Sequence, residues 1–156
     1  MNIEIWPLSR IVEYARNPRK NDAAVDRMCA SMREFGFKIP CLVRGDGELV
    51  DGHLRLKAAR SLGVTEIPVI LCDEWTAAQV KAFRLLVNRS ATWADFDDEL
   101  LALELQDMQG ADFDLSLTGF DSGEIDKLLA TDDEERDLSQ AEACATSQAK
   151  ACITKP

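Results

Sequence analysis

The chain has 156 residues, 46% of them hydrophobic and 29% charged. This is enough for one ordinary domain with additions, and too apolar for a wholly disordered chain. The net charge of −10 argues against a chain-wide DNA-binding surface, because the phosphate backbone would repel it.

In chain order, residues 3–12 (IEIWPLSRIV) read as a short strand broken by Pro7 and followed by a turn. ARNPRKN at 15–21 is a polar loop. Asn21 or Asp22 can cap a helix running to about Phe35, with Val25, Met28, Cys29, Met32 and Phe35 as its core stripe and Gly36 as its C-terminal stop. IPCLV at 39–43 and the run to Asp51, joined across the Asp46-Gly47 turn, suggest a hairpin. Gly52 then opens a helix, HLRLKAARSL, that ends at Gly63. IPVIL at 67–71 is a buried strand. Thr76 with Gln79 forms a capping box for a helix to about Asn88, and Trp75 and Trp93 beside it read as core anchors. Asp97 to about Met108 is a further helix, and Asp121 with Glu124 caps a last one through Leu129. The fold class expected from this order is α+β with a helical C-terminal extension.

Charge is unevenly spread. Residues 1–94 hold 14 Lys and Arg against 11 Asp and Glu, a net of +3, and residues 95–156 hold 4 against 17, a net of −13. The expected domains are therefore 1–93, an acidic helical extension over 94–130, and a mobile tail over 131–156, where periodicity fails. No apolar run approaches the roughly 20 residues of a membrane helix. MNIEIWPLSR lacks the basic and apolar regions of a signal peptide, and the five cysteines form no CxxC pair. Reduced thiols in a cytoplasmic protein are the expectation.

The chemistry concentrates in Asp51-Gly52-His53-Leu54-Arg55. A strand gives way to a helix at a glycine, so the free N–H groups of the first turn form an anion site. Arg55 is placed to fork onto phosphate oxygens, and His53, the only histidine, to donate beside it. Asp51 is placed to hold a magnesium ion brought by a nucleotide. The alternative is that Gly52 only ends a strand and the charges are solvated. The functional reading requires an open bend and an Arg55 not committed to an internal acid. Neither GxxxxGK[ST] nor GxGxxG occurs.

Four segments resemble, in order, the ParB N-terminal domain of the ParB/sulfiredoxin-like superfamily: Asn17-Pro18-Arg19-Lys20, SMREFGFKIPCLVR at 31–44, DGHLRLKAARSLGVTEIPV at 51–69 and LLVNRSA at 85–91. Residues 97–105 and 117–129 resemble the extension on ParB-like domains that precede phage and plasmid DNA modification methylases. The resemblance implies a pocket for a nucleoside triphosphate, CTP or ATP, with Mg2+. Gly52, His53, Leu54 and Arg55 would line the phosphates, with Asn17 and Arg19 reaching in from the first box and Asn88 from the late helix. Val87 stands where partition proteins carry a magnesium-binding Glu.

The function expected is a nucleotide-binding module serving DNA modification or plasmid and phage maintenance. Its partners would be a nucleotide and a DNA methyltransferase or other DNA-bound protein. Direct DNA binding is expected to be weak, and no membrane contact is expected. With no DPPY or NPPY tetrapeptide, methyl transfer by this chain itself is not expected, and the helix-turn-helix and dimerisation domains of partition proteins are expected to have no room. One alternative is a small-molecule phosphotransferase. It resembles the superfamily's free-serine kinases through the match of Asp51, Gly52, His53 and Arg55 to Asp-Gly-His-His-Arg, with Glu13, Asp51 and His53 as catalytic candidates. The other is a degenerate interaction domain without nucleotide affinity, which Val87 favours.

Overall fold

The computed structural model describes residues 2–16 and 22–130. It divides into two units after Asp95. The tail assigned to 131–156 lies outside the described residues, as do Asn17, Arg19 and Lys20.

The first unit is built on a four-stranded sheet of order β1-β4-β2-β3: β1 (Ile3–Pro7), β2 (Cys41–Val43), β3 (Leu49–Asp51) and β4 (Glu66–Leu71). β1 and β4 are antiparallel, with Ile5 opposite Pro68, and β2 runs parallel to β4 with Leu42 opposite Ile70. β2 and β3 form the expected hairpin, with a register shift between Leu42 and Val43. Pro7 ends β1, and a 3-10 turn, Leu8–Arg10, follows. Proline is tolerated at this position because β1 is an edge strand.

Three helices flank the sheet: α1 (Val25–Phe35), α2 (His53–Ser61) and α3 (Ala77–Ser90). A 3-10 turn at Asp22–Ala24 precedes α1. The α1 stripe is shallower than its spacing predicts. Cys29 is buried, but Phe35, next to the terminating Gly36, stays 46% exposed. Thr76 and Gln79 make the predicted reciprocal cap on α3.

Alternation within the strands sorts the core into two clusters. Cys41, Val43, Leu49, Ile67 and Val69 pack with Leu56 and Ala59 of α2. Their strand neighbours Leu42 and Val50 pack with Val80 and Phe83 of α3. Adjacent strand residues point to opposite faces, so α2 and α3 cover opposite sides of the hairpin. The end of β3 emerges where these two layers meet, and this positions the site. Trp75 packs against Phe83 in a tilted arrangement, with ring centroids 4.6 Å apart, as a core anchor should. Trp93 is not an anchor, being 64% exposed. It lies beyond the end of α3, where no core element covers it.

In the second unit, α4 (Asp98–Gly110) is capped by Asp97, whose carboxylate accepts from the Leu100 N–H at 3.1 Å. A helix over 122–130, α5, begins with the predicted Asp121–Glu124 box. Ala102, Leu105 and Ile125 are buried in this unit, and Phe96 meets Phe120 edge to face. No helix among the described residues is long and apolar enough to cross a membrane.

Candidate functional site

Gly52 is the pivot of the site. Its φ of +107° and ψ of 21° are left-handed, a conformation that side chains oppose. A Cβ there would lie 2.5 Å from Cys41 Sγ. The glycine is thus required by the bend and by the packing of β2 beneath it. This differs from the sequence argument, in which the missing Cβ leaves space for a phosphate.

The bend opens onto a cavity of about 310 Å3, lined by Asp51 to Arg55, by Met28 of α1 and by Arg84, Val87, Asn88 and Ala91 from α3 and its end. The structure therefore brings Asp51, Gly52, His53, Leu54, Arg55 and Asn88 to one place. Glu13 is elsewhere. It forms an ion pair with Arg60 and lines a different cavity with Tyr14, Arg16 and Lys81. Its partner is 47 residues away in sequence, which is why spacing could not locate it.

The structure contradicts the condition set by the sequence argument: Arg55 is committed to an internal acid, so a nucleotide reading cannot rest on a free Arg55. Its Nη2 donates to Asp51 Oδ2 at 2.8 Å and to the Pro40 carbonyl at 3.3 Å. Asn88 turns its Nδ2 back to the Arg84 carbonyl at 2.8 Å. Arg84, which the sequence argument missed, is only 5% exposed. Its Nη2 donates to Glu48 at 2.6 Å and to the Leu49 carbonyl at 2.8 Å. The guanidinium lies over the Tyr14 ring, 3.7 Å from its centroid. The signal for Arg84 was present, since it sits one turn before Asn88 and one turn after Val80, on the side of α3 that carries the core.

Among the described residues, three buried side-chain nitrogens lack a hydrogen-bond partner: His53 Nε2, Arg55 Nε and Arg84 Nε. All three belong to residues lining this cavity. Buried polar groups are normally paired, so three unpaired nitrogens, two of them on guanidinium groups, set the residues of this cavity apart, although each atom is itself buried in the structure as it stands. An anion fits. A metal held by protein alone does not, because no group of three His, Cys, Asp or Glu comes together among the described residues. Magnesium can still be held by one carboxylate with phosphate oxygens completing its shell, and Asp51 is the carboxylate on this cavity.

Burial pushes the His53 pKa below the ordinary histidine value, and nearby Glu13 opposes this only in part. The folded state therefore holds His53 neutral, whereas the unfolded chain takes up the proton more readily. Stability is then complete above the unfolded value of about 6.5 and is lost as pH falls below it. Urea unfolding of the wild type should show falling stability from pH 7.5 to 5.5, and His53→Gln should flatten that slope. An unchanged slope in the variant would show that His53 is not the group responsible. Burial likewise raises the Cys41 thiol to about 11, so it is an inert packing group. Cys29, Cys41 and Cys72 are all free and buried.

The chain resembles known proteins in five matches. The ParB N-terminal domain family matches residues 2–88, and the ParB-methyltransferase HTH domain family matches residues 99–156. The second match is to the helix-turn-helix domain of ParB-methyltransferases, over the residues read from the sequence as an acidic helical extension and a tail. The chain is 34% identical over 80 residues to the ParB-like nuclease domain-containing protein YnaK of Escherichia coli, covering 51% of this chain and 92% of that protein. It is 42% identical over 72 residues to the chromosome-partitioning protein Spo0J of Thermus thermophilus, covering 43% of this chain and 27% of that protein. Its fold is similar (TM-score 0.66, 20% identity) to the C-terminally truncated chromosome-partitioning protein ParB of Caulobacter crescentus complexed with CTP-γ-S, covering 80% of this chain and 75% of that one. With its α+β sheet, its glycine bend and the match over residues 2–88, the chain belongs to the ParB N-terminal domain family.

Proposed function

We propose that this protein is a nucleotide-binding module whose triphosphate occupies the cavity between the start of α2 and the end of α3. The observation that carries this reading is the trio of unpartnered nitrogens on His53, Arg55 and Arg84. The N-terminus of α2 adds its free N–H groups and partial positive charge on the same side. A similar fold is found with a CTP analogue bound in the Caulobacter protein, which makes CTP the first nucleotide to try and ATP the second. Magnesium would enter with the phosphates and meet Asp51.

The match over 99–156 supports a role beside a DNA methyltransferase, in a cytoplasmic DNA modification or mobile-element system. Direct DNA binding is weak in this reading, because residues 95–156 carry a net charge of −13 that opposes phosphate contact. The phosphotransferase alternative gains nothing from the position of Glu13, which is tied to Arg60 at another cavity.

Isothermal calorimetry with CTP, ATP and GTP, each with magnesium, tests the reading. Saturable binding of one nucleotide at micromolar to sub-millimolar concentration is expected. No heat at millimolar nucleotide from a protein that melts cooperatively would end it.

A further inference from the structure

Each arginine of the cavity is held by an acid of its own. Arg55 pairs with Asp51 and Arg84 pairs with Glu48, and in both pairs the arginine is the more buried partner. In both, Nε is left without a partner. The two pairs are not equivalent. Arg84 is also fixed by the Leu49 carbonyl and the Tyr14 ring. Among the described residues, Arg55 has the longer bond to the Pro40 carbonyl and a contact with the Cys41 thiol besides its acid, both weaker holds than those on Arg84, so it is the one better able to change partners. The acid that holds it, Asp51, itself lines the cavity and is half-exposed. An anion arriving at Arg55 would meet the charge of Asp51 within a few ångströms and be repelled.

We propose that the Asp51–Arg55 pair is a latch, in which Asp51 occupies Arg55 as an internal substitute for the phosphate until a divalent cation takes the carboxylate. The inference rests on the nucleotide reading above and adds its regulation. Metal and phosphate each relieve the same internal pair, so each binds more tightly after the other, and the coupling is reciprocal. Asp51 is then a restraint on metal-free binding as well as a ligand for the metal. Removing its charge should strengthen anion binding in the absence of metal, which is opposite to the effect expected of a simple metal ligand.

Calorimetry with inorganic tripolyphosphate, in EDTA and in magnesium, separates these outcomes. Wild type should bind weakly in EDTA and more tightly with magnesium. Asp51→Asn should bind about two- to fivefold more tightly than wild type in EDTA, the scale of a partly exposed ion pair, and should gain less from magnesium. Asp51→Ser serves as a second variant, because the Asn amide oxygen can still accept from Arg55, and thermal melts confirm that both fold. Variants that bind tripolyphosphate in EDTA no better than wild type overturn the latch. Failure of all three proteins to bind it in either buffer also overturns the latch, and the nucleotide reading falls with it only if CTP with magnesium fails too.

Discussion

Gly52→Ala is expected to cost about 2–4 kcal/mol of folding stability, from the left-handed backbone and the steric overlap together. The φ of +107° is the first contribution, and the 2.5 Å approach of the new Cβ to Cys41 Sγ is the second. The two can be separated. Cys41→Ala removes the sulfur but leaves φ unchanged, so the double variant should recover part of the loss and no more. Urea unfolding of the two single variants and the double variant measures this coupling. Strict additivity would show that Gly52 and Cys41 do not touch, and a loss under about 0.5 kcal/mol would place Gly52 with ordinary surface positions.

Arg84→Met carries the second large effect. Methionine fills much of the same volume but leaves the buried Leu49 carbonyl without its donor, Glu48 without its cation and Tyr14 without the guanidinium over its ring. The Glu48 carboxylate is 39% exposed and can be rehydrated, so the expected loss is about 2–3 kcal/mol, below that of breaking a fully buried pair. Nucleotide binding should weaken beyond what instability explains, because one of the two unpartnered guanidinium donors is gone. Arg84→Lys should not restore it, since an ammonium cannot stack on Tyr14 and reach Glu48 and Leu49 in the same planar arrangement. Denaturant midpoints and calorimetry at a temperature where each variant is folded provide both readouts. Normal binding in Arg84→Met would remove Arg84 from the site.

What the sequence made legible was local. Caps are written in residues three apart, so Thr76 with Gln79 and Asp121 with Glu124 could be read directly, as could Asp97 at the start of α4. The glycine bend and the residues Asp51 to Arg55 could be read for the same reason. Tertiary commitments could not. Nothing in the spacing says that Glu13 finds Arg60, that Cys41 lies under Gly52, or that Arg84 reaches back to the hairpin. The Asp51–Arg55 pair is an intermediate case. Its spacing of four residues permits contact across the start of a helix, yet each residue had been given a role that the pairing obstructs. Helical spacing puts Phe35 in the core and residue type puts Trp93 there, whereas exposure depends on what an element packs against.

The most direct measurement follows the arginine Nε–H resonances of Arg55 and Arg84 by nitrogen-15 NMR, assigned through Arg55→Lys and Arg84→Lys, as CTP and magnesium are added. Both resonances should shift together and saturate with the nucleotide, as two orphan donors gain an acceptor. Nucleotide binding that leaves both unmoved would contradict the account.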